Sequence, residues 1–78
     1  MATTQLPTLK GQTETTSAYY CPDIAATVFK SLVSAAGHTC KDQFSDDSRP
    51  TDIILTFDAP AKSIDAVIQE SEAELLNV

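Results

Sequence analysis

The sequence predicts an α+β fold. It is a two-layer sandwich in which a small antiparallel sheet of about three strands carries two helices on one face, in the order β-α-β-β-α. Three stretches predict it. Residues 22–36 repeat apolar side chains at helical spacing, residues 52–57 (DIILTF) alternate as a half-buried strand does, and residues 59–76 return to the helical period.

Residues 1–11 show no clear period and are punctuated by Pro7 and Gly11, so they read as a flexible N-terminal segment. Residues 12–78 read as a single α+β domain. Within it, residues 12–20 (QTETTSAYY) are rich in β-branched and aromatic side chains and read as an edge strand. A tail that wraps the domain is the alternative. Residues 22–36 follow as the first helix. Pro22 suits its first turn, where a missing N–H costs nothing, and Asp23 suits the positive end of the dipole. Ile24, Val28, Leu32 and Ala36 make one apolar row, with Ala25, Phe29 and Val33 on the next. Gly37 supplies the left-handed stop.

Residues 39–45 (TCKDQFS) read as a short strand with Cys40 and Phe44 alternating onto its core face. That leaves Lys41 and Gln43 on the other face. Residues 46–51 (DDSRPT) are polar chain breakers and form the turn of a hairpin. In residues 52–57, Ile53, Leu55 and Phe57 point to the core, and Ile54 and Thr56 point away from it. Asp58 before Ala59-Pro60 reads as a helix N-cap. One helix over residues 59–76 then buries Ile64, Val67, Ile68 and Leu75. The sheet face opposite the helices is uncovered, which makes it a candidate for docking or dimerisation.

At 78 residues the chain makes one domain with a thin core, and its 42% hydrophobic and 21% charged composition is that of a globular protein. The opening MATTQLPTLK lacks the apolar stretch of a secretory signal, and no apolar run approaches the roughly 20 residues that span a bilayer. A cytoplasmic protein with reduced cysteines and no membrane partner is the expectation. The net charge of −6 lies entirely in residues 39–78, because residues 1–38 balance Glu14 and Asp23 against Lys10 and Lys30. Five basic residues in such a chain argue against direct nucleic-acid binding, which needs clustered Lys and Arg. Solubility explains this charge most simply, and steering of a basic partner is the functional alternative.

The two cysteines, Cys21 and Cys40, bracket the first helix. Fifteen residues at 1.5 Å each hold them roughly 20 Å apart. That is too far for a disulfide, a shared zinc ion or a nucleophilic triad of Cys21, Asp23 and His38. Cys21 at a helix N-terminus could carry a depressed thiol pKa, although packing at the helix entry explains it better. His38 reads as a helix C-terminal residue. His38, Cys40 and Asp42 would form an H-x-C-x-D ligand set only if the strand began at residue 38. With two glycines there is no phosphate loop, and no hydrolase, zinc-protease or calcium motif occurs. No cofactor, metal or catalytic residue is therefore assigned.

The expectation is a small acidic, non-enzymatic protein-binding or regulatory protein. In its sharper form it is an inhibitor that occupies a basic, nucleic-acid-binding surface of its partner. Its acidic contacts would be Asp46, Asp47, Asp58, Glu70, Glu72 and Glu74, and its apolar contacts Tyr19, Tyr20 and Ile54. Glu70, Glu72 and Glu74 would oppose the dipole of a continuous second helix; a solvated face explains them more simply, and an acidic helix that docks a basic surface is the functional alternative. Asp46 and Asp47 also suit turn chemistry. The alternatives are a homo-oligomeric structural subunit paired through the open sheet face, or a thiol redox protein using Cys21.

Overall fold

The computed structural model describes residues 6–77, so the first five residues of the expected flexible segment lie outside it. In chain order it contains β1 (Thr8–Gln12), β2 (Ser17–Pro22), a 3-10 turn (Asp23–Ala25), α1 (Ala26–Ala35), β3 (Cys40–Asp46), β4 (Arg49–Phe57), α2 (Ala61–Glu70) and α3 (Glu72–Leu76). The fold is α+β, with a four-stranded sheet in the order β1-β2-β4-β3. All neighbouring strands are antiparallel. β2 and β3 therefore run parallel to each other on either side of β4, and α1 makes the crossover between them.

The fourth strand is the main departure from the sequence reading. Thr8–Gln12 pairs with Ser17–Pro22, and the threonines read as strand residues form the turn between them. The Thr13 hydroxyl accepts hydrogen bonds from the backbone N–H groups of Thr15 and Thr16 at 3.3 and 3.0 Å. The Thr13 N–H in turn donates to the Thr16 carbonyl at 2.9 Å. A hydroxyl that can satisfy nearby backbone competes with the strand tendency of its β-branched carbon.

The first helix begins later than expected. Pro22 has φ −52° and ψ 134° and still pairs with Asp52, so Cys21 is a strand residue. The 3-10 turn that follows leaves Ile24 64% exposed, although it was expected on the buried stripe. Val28 and Leu32 pack at the core margin, and Phe29 and Val33 are fully buried. Gly37 ends the helix as expected, with φ 92°. The Gly37 N–H donates to Ser34 and the His38 N–H to Val33, which satisfies the last carbonyls in the Schellman pattern.

β3 carries a bulge that reverses its expected facing. Cys40 pairs with Phe57, but Asp42 pairs with Thr56 and Phe44 with Ile54, so Lys41 is the extra residue. Cys40 keeps the core face. Beyond Lys41 the parity flips: Gln43 turns towards α1, where Lys30 donates to its side-chain oxygen at 2.8 Å, and Asp42 and Phe44 turn to the open face. The H-x-C-x-D set is split by the same bulge.

The second helix is two. Ser71, at φ −121° and ψ 20°, breaks the α-helical geometry between α2 and α3. The break lets Leu75 bury completely and puts Glu72 and Glu74 in the first turn of α3. Negative charge is favoured at that end, so the expected dipole conflict remains only at Glu70. Asp58 does not cap α2. Pro60 occupies the N-cap position without a side-chain hydrogen bond. Asp58 instead donates its backbone N–H to the Thr39 carbonyl at 2.8 Å.

The core lies between the sheet and the helices. Ile53, Leu55 and Phe57 face it as expected, joined by Tyr19, Phe29, Val33, Ile64 and Leu75. Tyr19, Phe29 and Phe57 pack edge-on or tilted, with centroids 5.1 to 6.2 Å apart. Each such pair adds about 0.5–1.5 kcal/mol beyond area burial. No described helix is long and apolar enough to cross a membrane.

Candidate functional site

Antiparallel pairing fixes which residues share the face without helices. Tyr20 on β2 stands opposite Ile54 on β4, and Ile54 stands opposite Phe44 on β3. Strands are about 4.8 Å apart, so these three side chains form one apolar row roughly 10 Å long across the sheet. Thr8 of β1 continues the row. Ala18, Thr56 and Asp42 form the next row in one direction, and Pro22 and Asp52 lie in the other. Tyr20 and Ile54 are half-buried, whereas Phe44 is 53% exposed.

The row is bounded by charge. Arg49 reaches over Tyr20, its guanidinium carbon 3.8 Å from the ring centroid, and its Nη1 contacts Asp52 at 3.5 Å. A guanidinium on an aromatic face is held by the ring quadrupole, by roughly 0.5–1 kcal/mol when exposed. Beside it, Asp23, Asp46, Asp47, Asp52 and Arg49 line an open cleft of about 320 Å³ at the β3–β4 hairpin. Asp46 is committed to that turn. One carboxylate oxygen accepts from the Ser48 N–H at 2.9 Å and the Ser48 hydroxyl at 2.7 Å, which holds the carboxyl below its ordinary range. Among the described residues, no group of three or more His, Cys, Asp and Glu side chains is arranged to hold a metal.

The residues singled out from the sequence are distributed unequally. Tyr20 and Ile54 lie together on the open face. Tyr19, expected beside them, is a core residue at 1% exposure. Neighbours along a strand face opposite ways, so Tyr19 and Tyr20 cannot share a surface. The Tyr19 hydroxyl donates to Asp65 at 2.8 Å and lies 3.1 Å from the Ala61 carbonyl, tying β2 to α2. Burial and then Asp65 push its pKa well above the ordinary tyrosine value.

The acidic residues do not form one line. Asp46 and Asp47 lie at the hairpin. Asp58 follows the far end of β4, a nine-residue strand about 30 Å long. Glu70, Glu72 and Glu74 are exposed on the helical layer. Two residues on the open face escaped the sequence reading, Phe44 and Asp42, because the bulge inverted their parity. The signal that could have found them is the adjacent Lys41-Asp42 pair, since charges and bulges are common protections of an edge strand. Arg49 falls in the 46–51 segment expected to be the hairpin turn, but Asp46 and Arg49 are paired strand residues and the turn is confined to the two residues between them.

Cys21 is fully buried on the core face, and burial, then Asp52 and Asp23, push its thiol up to about 12. It holds its proton at neutral pH, the reverse of an activated thiol. Cys40 is also free and is raised chiefly by burial. Opposite Cys21 and Cys40 stand Ile53 and Phe57, about 13 Å apart along β4, so the two thiols are well beyond bonding reach.

Compared with known proteins, this chain matches no family model, no curated protein and no solved structure.

Proposed function

We propose that this chain is a small acidic, non-enzymatic binding protein that docks another protein on the open face of its sheet. The observation that carries this reading is the row Tyr20–Ile54–Phe44, three apolar side chains on adjacent strands with no helix above them among the described residues and Phe44 53% exposed. Apolar and aromatic side chains exposed together on a small domain are where binding energy concentrates. The net charge of −6 supports a basic partner and fast association. Regulation by occupying a basic surface, including one that binds nucleic acid, is the form this function would take. The scatter of Asp58, Glu70, Glu72 and Glu74 away from the open face favours steering by these acids rather than an ordered imitation of phosphates.

The test is affinity capture from the native host lysate with the wild-type chain and with Phe44→Glu, at low and high salt. A partner held by the wild type and lost with Phe44→Glu, while both chains melt at similar temperature, is the expected result. A partner captured equally by both would move the site off this face. Wild-type chains that capture only one another would favour the homo-oligomeric alternative.

A further inference from the structure

The two outer strands of the sheet share a feature that the inner pair lacks. β2 and β4 pair in unbroken register from Ser17↔Phe57 to Pro22↔Asp52. Among the described residues, β1 and β3 each have one neighbour in the sheet, and each ladder skips a residue. In β1 the step from Leu9 to Gly11 leaves Lys10 as the extra residue, and in β3 the step from Cys40 to Asp42 leaves Lys41. A further irregularity, between Ser45 and Asp46, lies at the hairpin end of β3. Both lysines are exposed, and neither makes an ion pair among the described residues. The same two strands expose Leu9 and Phe44, at 43% and 53%. An outer strand offers its unpaired N–H and C=O groups to any other strand, and exposed apolar side chains on it add attraction. A bulge breaks the even spacing of those groups, and an incoming strand would have to strip water from the lysine.

We propose that the lysine bulges of β1 and β3 close both edges of the sheet to strand addition, so that a second copy of this chain cannot extend it. The device acts at the edges and is independent of what docks on the open face. Leu9 and Cys40 pair with the core-facing Tyr19 and Phe57, and Gly11 and Asp42 pair with Ala18 and Thr56 on the open face. Deleting Lys10 or Lys41 therefore restores simple alternation and leaves the open face as it was. Only the edge changes.

The experiment is light scattering and amide hydrogen exchange on the full chain, its two single deletions and the double deletion, at rising concentration. In the wild type, exchange in Thr8–Gln12 and Cys40–Asp46 is expected to be independent of concentration. Each single deletion opens one edge and should reach twice the monomer mass, because like edges pair about a twofold axis and close. The double deletion opens both and should form longer, open-ended assemblies. In each case exchange should slow in the opened strand. Wild-type exchange that slows with concentration in either strand would overturn the proposal. So would deletion chains that melt cooperatively and stay monomeric, or that associate while both outer strands still exchange freely. Where a deletion does not fold, the double substitution Lys10→Val, Lys41→Val takes its place. It keeps the chain length and removes the charge. Edge association of that chain is the expected result, and a monomer at every concentration would overturn the proposal.

Discussion

Tyr19 and Tyr20 are adjacent and chemically identical, yet one is core and the other is surface. The strand's alternation separates them, and the partners of each ring then define its role. Tyr19 and Cys21, both on the core face of β2, also make the fold sensitive to alkali. The Cys21 thiol is raised to about 12 in the folded chain, against about 8.5 in an unfolded one. The stability linked to its proton is thus complete below about pH 8.5 and is lost as pH rises towards 12. Tyr19, raised in the same direction, extends the loss at higher pH. Urea denaturation between pH 7 and 10.5 should show stability falling above about pH 8.5, by at most about 1.4 kcal/mol per pH unit for each such proton. Cys21→Ala should make the fall shallower, whatever its effect at neutral pH. An unchanged slope would mean that this thiol titrates normally in the fold.

At the scale of elements, helix ends and bulges decide most of the local structure. Gly37 and Gly11 have equally open surroundings, since a Cβ at either would meet nothing within 4 Å. Their backbones differ. Gly37 holds φ 92°, which an L side chain resists, and Gly11 holds no positive φ. Gly37→Ala should therefore destabilise by roughly 1 kcal/mol, and Gly11→Ala should cost less or stabilise slightly. Equilibrium denaturation of the two variants separates these outcomes. Equal effects would show that the Schellman turn is not what Gly37 provides. The helix stop at Gly37 and the β3–β4 hairpin were both legible, because each depends on residues adjacent in sequence. The Lys41 bulge was not. An extra residue in one strand is visible only against its partner, and it turned Gln43 to the core side and Asp42 and Phe44 to the open face. The break at Ser71 was hidden in the same way, because Leu75 needed a core to turn into.

For the whole molecule, the question is how charge and the apolar face divide the work of binding. Glu70, Glu72 and Glu74 lie on the helical layer, away from Phe44, so their field should act on encounter rather than on the docked complex. Replacing all three with Gln should slow association with a captured basic partner, up to about tenfold at low salt. It should flatten the salt dependence and leave dissociation nearly unchanged. Stopped-flow or surface-based kinetics at two salt concentrations tests this. A faster dissociation would place these glutamates in the interface and enlarge the site to both layers.

The sequence by itself determined the α+β class, the helix ending at Gly37, the β3–β4 hairpin, the core face of Ile53, Leu55 and Phe57, and the acidic balance. These follow from spacing along the chain and from the charge count. Only the tertiary structure decided that Thr8–Gln12 is a strand, that Tyr19 is core, that α2 and α3 are separate, and that Phe44 and Asp42 share the open face with Tyr20 and Ile54. Each of these depends on what a segment packs or pairs against. Strand pairing needs a distant partner to set register, and a single bulge in that register reassigns every side chain beyond it.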